Sequence, residues 1–397
     1  EDDWPEFRGP TGQGIAAEAK PPLVWSRTKN VAWNTGVPGR GWSSPIVYGG
    51  SLYVTTALLN EAGHPVSLRA LRFDAASGKV VWNREVFARR GPSPKEPKNS
   101  HASPTPIAND SRIYVHFGHM GTACLDEEGN ILWRQRELAY EPQHGNGGSP
   151  ILYGDKLIFS CDGKSTPFVV ALNRHTGRVV WKTMRQTRAR NKFSFSTPLL
   201  IHVAGRSMVV SPGSGAVCAY DPDNGREIWR ATYGMGYSVV PRPVFMQEMA
   251  FVSSGFSTPV VYAIRVDGVG DVTGSHVVWN TSRGAPKTPS MLPLGQRVLC
   301  VSDTGIVTCW DAQTGKEHWR GRLGDGVSAS PIVADGRVYI VGESGATFVI
   351  ATEDEFSVLA KNDLGERSLA TPAVSGRALF LRTETQLYRI ENQDRAS

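Results

Sequence analysis

The sequence predicts an all-β fold, an eight-bladed propeller of four-stranded antiparallel blades, and three features of its 397 residues carry that prediction. An eleven-letter pattern recurs: CWDAQTGKEHW ending at Trp319, RFDAASGKVVW at Trp82, ALNRHTGRVVW at Trp181, AYDPDNGREIW at Trp229, and the shorter CLDEEGNILW at Trp133. Fixed self-similarity of this kind marks a repeat architecture, which can carry such a length as one unit. Second, eight opening runs precede these patterns, most of them Ser/Thr-Pro: SSPIVYGG, ASPTPIAND, GSPILYGD, STPLLIHVAG, PRPVFMQE, TPSMLPLG, ASPIVADG and ATPAVSG. Third, the eighth copy stops at LYRIEN without a fourth strand, while NVAWNTGV around Trp33 has the character of a fourth strand without the other three.

The elements of one copy follow in order. The opening run is a short first strand, and an alternating second run such as SLYVTT, RIYVHF or KLIFSC follows it. The third ends near an Asp, a turn with Gly comes next, and the Trp sits on the fourth. Asp and Gly suit a tight turn, and the Trp buries a flat side chain between blades while its indole N–H needs an acceptor. The loudest motif is therefore read as structural. The fourth-strand anchors are Trp82, Trp133, Trp181, Trp229, Trp279 and Trp319, with Leu359 in the seventh copy. Copies five (AIRVDGVGDVTGSHVVW) and seven (VIATEDEFSVLAKNDLG) break the pattern and predict weaker docking. The N-terminal strand closes the ring by completing the last blade, which removes an open join. The expected organisation is one propeller domain over 1–397, with an extension at 1–29, a closing strand at 30–37 and eight repeats over 43–392.

Totals bound the function. Hydrophobic residues make up 40% and charged residues 20%, and no apolar run approaches the ~20 residues of a membrane helix. The formal charge of +6 is too mild to imply nucleic acid but leaves an acidic partner worth considering. The chain opens on EDDWPEFRGP rather than Met, which suggests a removed signal peptide and a secreted or periplasmic location. A monomer is expected. The cysteines (Cys124, Cys161, Cys218, Cys300, Cys309) are odd in number and include no CxxC, CxxCH or adjacent pair, which argues against covalent haem and a cysteine zinc cluster. A two-residue turn at Thr304-Gly305 would set Cys300 opposite Cys309, as a cross-strand disulfide or as two small core residues.

Chemistry is sought at the channel mouth, where the loops from strand four to the next strand one and from strand two to strand three share a face. The positions just before the opening runs are Arg40 and Trp42, Asn99 and His101, His144 and Asn146, Lys192, Tyr237 and Arg242, Lys287, Asp325, and Arg367. Approach loops add Arg89, Arg90, Lys95 and Lys98, then Arg185, Arg188 and Arg190. Basic charge converging on a concave mouth would focus an anionic ligand; the alternative is ordinary solvated loop charge. His64, His101, His119 and His144 fall on the same face. They could hold a divalent metal, serve in acid–base chemistry, or be solvated and hydrogen-bonded. HGNGGS enters a strand and so lacks the helix end of a phosphate loop, and neither GxSxG nor HExxH occurs.

The AxDxxTGxxxW pattern, the Ser-Pro first strands and the shared last blade resemble the pyrroloquinoline-quinone-type propeller repeat of quinoprotein alcohol dehydrogenases and BamB. DWPEFRGPTGQG, YSVVPRPVF and LAKNDLGER are most similar to secreted members of planctomycete-type bacteria. The resemblance implies the fold more firmly than an activity, because propellers host unrelated functions. Three functions are carried forward. One is a BamB-like binding or scaffold module, taking an anionic small molecule, an acidic glycan or an envelope protein at a basic mouth. Another is a lyase or hydrolase acting on acidic polysaccharide, in which His101, His144, Tyr237, Lys192 and Arg242 are the catalytic candidates; under either reading Arg40, Trp42, Asn99, Asn146, Lys287, Asp325 and Arg367 are the ligand-binding candidates. The third, quinone-dependent oxidation, is disfavoured by the missing Cys-Cys pair and the short chain.

Overall fold

Eight antiparallel sheets form the protein in a computed structural model that describes residues 3–393. Blade 1 shows the plan: Ile46–Tyr48, Ser51–Leu59, Pro65–Asp74 and Val80–Ala88 pair in chain order from the axis outward. The innermost strands of blades 2 to 7 are Ile107–Asn109, Ile151–Tyr153, Leu199–Val203, Val244–Met246, Leu292–Leu294 and Ile332–Ala334. Blade 8 takes three strands from the C-terminal end (Ala373–Ser375, Ala378–Arg382, Gln386–Ile390), and its outer strand is Val31–Gly36, antiparallel to Gln386–Ile390.

A repeated Trp locks six of the eight blades onto the next through its indole N–H. Trp82 donates its indole N–H to the Glu127 carbonyl at 2.7 Å, Trp133 to Arg174, Trp181 to Pro222, Trp279 to Ala312, Trp319 to Glu353 and Trp33 to Ala75. Each acceptor lies in the turn between strands three and four of the following blade. The glycine of that turn lies flat against the ring: a Cβ on Gly129 would come within 2.9 Å of Trp82, and one on Gly225 within 2.5 Å of Trp181. Both glycines have φ near +80 or +70, which other residues rarely adopt, so turn geometry and ring contact demand the same residue. A β-bulge just before each Trp, as between Ala171 and Leu172 opposite Trp181, twists the outer strand and aims the indole at its neighbour.

At the irregular copies, segments from elsewhere in the chain are added to the junctions. Blade 5's long turn returns Gly270–Asp271 to pair in parallel with Trp229–Arg230 of blade 4, and Val266 and Val272 pack in the cluster around Trp229. Blade 7 places Ala360, not the expected Leu359, where others have Trp; Leu359 is the extra residue of the bulge and stays exposed. Trp25 from the N-terminal segment stacks on Tyr339 instead, its backbone N–H bonded to Asn362 Oδ1. Borrowed segments thus cover both junctions, while the long turn of blade 5 leaves the Trp229 indole N–H without the acceptor that the regular turns supply.

The cysteine geometry differs from the expected hairpin. Ser302 N–H bonds to the Ile306 carbonyl, so three residues form the turn, and Cys300 pairs with Thr308 while Cys309 pairs with Leu299. One residue of slip puts the two thiols on opposite sheet faces. All five cysteines are buried and free.

Candidate binding site at the channel mouth

Two residues before each innermost strand stands the hydroxyl of the opening motif, and these hydroxyls stitch the ring together. The backbone N–H of Ser44 donates to Thr105 Oγ1, Thr105 to Ser149, Ser149 to Thr197, Ser290 to Ser330, Ser330 to Thr371 and Thr371 back to Ser44, all at 2.9–3.1 Å. Arg242 stands in for the eighth hydroxyl. Its N–H donates to Ser290 Oγ, and its Nε bridges back to the Pro198 carbonyl.

The axis below this collar is filled by the N-terminal segment. Trp4 pairs with Val47, Ala108 N–H reaches the Pro5 carbonyl, Phe245 N–H reaches Gln13 Oε1, and Ile15–Ala16 lie parallel to Val333–Ala334. Arg242 Nη1 bonds to the Phe7 carbonyl, and Nη2 pairs with Glu6 at 3.0 Å. Arg242 is therefore corrected from a mouth residue to a buried clasp, only 2% exposed, that fixes the segment beneath the floor.

Above the floor lies a cup of about 510 Å³, touched by all eight blades and bottomed by Phe7. Trp42, Asn99 and Val240 line it, with the seven collar hydroxyls. One wall is aromatic: Phe193 meets His144 edge-on at 5.1 Å and Tyr237 at 5.7 Å, and Tyr237 leads on to Phe256. Beyond that wall a groove of about 490 Å³ is lined by Gln143, Lys164, Arg190, Asn191 and Lys192, sharing His144, Phe193 and Tyr237 with the cup. Cup and groove are two rooms with one aromatic partition.

The sequence candidates divide accordingly. Trp42, Asn99, His144 and Tyr237 line the cup, and Lys192 lines the groove. Arg367 stacks over Trp42 at 5.8 Å and Lys287 over Phe256 at 5.0 Å, so two further candidates brace the rim. Asn99 is spent on structure, its amide nitrogen donating to the His144 and Asn146 carbonyls. Arg40 pairs with Glu384 on the exterior, and Asp325 accepts from Ser344 Oγ in a turn; neither lines the cup. Asn146 is buried behind the wall, where its Oδ1 meets His119 Nδ1 at 3.3 Å and the Tyr140 hydroxyl at 3.2 Å. The direct cup charges are mixed, with Glu96 and Asp303 beside Lys98, and Lys98 is paired to Glu343. Of the approach-loop arginines, Arg185 is buried against Asp162.

The metal and acid–base readings are corrected in part. Among the described residues no group of three or more His, Cys, Asp or Glu side chains is arranged to hold a metal ion, so His64, His101, His119 and His144 do not converge as donors. His101 is 3% exposed, and burial, with Lys95, His119 and His64 adding positive charge, holds its imidazole down at about 4. Such a group is a neutral core residue near neutral pH rather than a proton shuttle. Burial likewise lowers His119.

Phe193, Phe195 and Phe256 were not singled out in the sequence. Phe193 and Phe195 stand in NKFSFS directly before a Thr-Pro, and Phe256 in SSGFST, a strand two to three loop; reading aromatics as well as charges at those positions finds them. Phe7 carried no such signal.

Known proteins place this ring in a family. The family profile described as outer membrane protein assembly factor BamB matches residues 66–192, 167–270 and 265–394. The chain belongs to this BamB-type, PQQ-like family. BamB of Moranella endobia is 23% identical over 316 residues, covering 78% of this chain and 76% of that protein. Quinoprotein ethanol dehydrogenase of Pseudomonas aeruginosa is 30% identical over 146 residues, 33% of this chain. The chain matches only 23% of that dehydrogenase's length. Among solved structures, BamB from Moraxella catarrhalis superposes with a TM-score of 0.66 at 12% identity, covering 92% of this chain and 98% of that one. A europium-containing methanol dehydrogenase gives 0.70 at 11%, covering 98% of each. At such identities the likeness is one of fold.

The quinone of the dehydrogenase relatives does not fit the residues here. The five cysteines are separate and buried, and Asp303, one of two carboxylates in the cup, already accepts the backbone N–H groups of Lys287 and Thr288. No step through a quinone is derived.

Proposed function

We propose that the chain is an extracytoplasmic binding module that takes an anionic ligand or an acidic partner segment at the channel mouth. One observation carries this reading: a basic groove and a floored cup share the His144–Phe193–Tyr237 partition. An elongated ligand would set its acidic groups against Lys164, Arg190 and Lys192 and lay an apolar or ring face on the aromatics. The collar hydroxyls and the blade locks make the cup rigid before a ligand arrives, which lowers the ordering cost of binding. The envelope location is supported by the family's name, and among the described residues no helix is long and apolar enough to cross a membrane. Calorimetric titration with uronate and sulfated oligosaccharides and with acidic peptides tests the proposal. Binding that weakens about tenfold or more in the Arg190→Ala/Lys192→Ala double variant is expected, since two charge-assisted contacts are lost. Absence of binding to every anionic probe, or binding indifferent to the variant, sinks it.

A second reading has one observation in its favour: His144, Tyr237 and Lys192 line a single groove, as a lyase acting on acidic polysaccharide requires. His101 and Arg242 drop out of that mechanism because both are buried away from the groove. Unsaturated uronate ends appearing on incubation with polyuronates, and disappearing in Tyr237→Phe, would favour it over simple binding.

A further inference from the structure

The collar is occupied on one side and open on the other. Each of its seven hydroxyls accepts a backbone N–H from the preceding blade, as Ser290 does from Arg242 and Thr371 from Ser330. None donates its own proton to an acceptor among the described residues, although all seven are at most 4% exposed and all line the cup. Their chain neighbours behave differently: Ser43 Oγ donates to the Thr55 carbonyl at 3.3 Å and Ser196 Oγ to the Pro241 carbonyl at 2.8 Å. A hydroxyl whose oxygen already accepts has chiefly its proton left to offer. Seven blades thus present O–H donors to one shared space.

Charge decides which kind of group can answer them. An ammonium or guanidinium brings only donors and would set donor against donor. A carboxylate or sulfate inside the cup would share it with Glu96 and Asp303, and Lys98, the cation beside them, is already paired to Glu343. An uncharged hydroxyl suits both sets. Its oxygen can accept from the collar while its proton goes to Asp303 Oδ1, which takes no hydrogen bond from the described residues, whereas Oδ2 holds the Lys287 N–H at 2.7 Å. Apolar surface is also at hand, with Phe7 below and the wall of Phe193, Tyr237 and Phe256 beside it. Hydroxyls around an edge and C–H groups on the faces describe a sugar ring.

We infer that the cup seats an uncharged pyranose ring, its C–H face against the aromatics and its hydroxyl oxygens accepting from the collar. The acidic unit of the same glycan would then lie outside, in the basic groove. That second placement rests on the proposed function above; the sugar seat does not. A volume of about 510 Å³ is in the range of small-ligand pockets, and the inference makes the partner a glycan rather than a peptide.

Ligand-detected NMR titration of the full chain tests this, with the methyl pyranosides of glucose, galactose, mannose and xylose, and with the disaccharide each forms with glucuronate. At least one neutral glycoside should bind, and Phe7→Ala and Thr371→Val should each weaken it about three- to tenfold. Thr371→Val also takes the acceptor from the Ser330 N–H, so Thr371→Ser, which returns the hydroxyl, should recover binding. Wild type then reports the direction of the bonds without any variant. At sugar positions that accept from the collar, a fluoro analogue should bind better than the deoxy analogue, because fluorine accepts weakly and cannot donate. Absence of binding to every neutral glycoside, or binding indifferent to both Phe7→Ala and Thr371→Val, overturns the sugar seat. Acidic peptides that bind through Arg190 and Lys192 while no glycoside binds would remove the seat and leave the proposed function standing. Neutral glycosides that bind while glucuronate adds nothing would do the reverse.

Discussion

The rim and the mouth of this propeller are built by opposite rules. At the rim one solution is repeated, an indole lying on a glycine of the next blade and donating to that blade's turn carbonyl. At the mouth the collar repeats, but the side chains above it do not: Trp42 precedes blade 1, while Phe193 before blade 4, Tyr237 before blade 5 and Phe256 within blade 5 join into one wall of the same cup. Repetition marks what holds the ring, and variation marks what the ring can bind.

The contrast can be broken most severely at the N-terminus, which serves both regions. Removing residues 1–36 takes the outer strand from blade 8 and the floor from the cup. The expected loss is on the scale of the whole folding free energy, about 5–15 kcal/mol, seen as loss of a cooperative melt. An unchanged midpoint would contradict this closure. Next in size, Trp181→Ala should cost about 3–5 kcal/mol in denaturant unfolding. Trp181→Phe should cost about 1–3 kcal/mol by stranding the Pro222 carbonyl, and more than Trp229→Phe, because the Trp229 indole has no acceptor.

Acid should weaken the mouth side of the ring in a defined window. His101 is held down at about 4 and His116, buried beside Thr122, at about 3, whereas both take a proton near 6.5 when unfolded. The unfolded chain therefore binds more protons below that pH, and stability, full above about 6.5, falls as pH drops toward 4 by about 1.4 kcal/mol per unit per histidine. His101→Gln should remove one such share of the slope in urea titrations between pH 6 and about 4.5; an unaltered slope would show that His101 protonates freely. Smallest of all, Lys192→Ala should leave unfolding within about 0.5 kcal/mol of wild type while weakening the anionic ligand, since the side chain is half-buried at the groove and its hydrogen bond among the described residues is to the Ser165 carbonyl alone. A larger stability loss would mean that rim and mouth are not separable.

The rim was legible because its physics is local and recurs: Asp, Gly and Trp at fixed spacing announce turn, contact and anchor together. The bulge before each Trp was not, since nothing in the letters VVW marks which residue is the extra one. The Cys300 and Cys309 register failed for a similar reason, a turn one residue longer than Thr304-Gly305 alone. At the mouth, loop position correctly brought Trp42, His144, Lys192 and Tyr237 to one region. It could not tell that Arg242 turns down to Glu6, over two hundred positions away in the chain, or that His101 is enclosed. Long-range partners decide which loop charges remain free, and spacing carries no trace of them.

Arg242 has a further consequence. A circle of eight similar units has no beginning, and an axial segment could in principle settle against it in any of eight rotations. By breaking the collar at a single blade and offering its guanidinium to Glu6 and Phe7 there, Arg242 acts as an index mark, like the notch on a dial. The segment, and with it the strand that completes blade 8, has one orientation in which all its contacts are made.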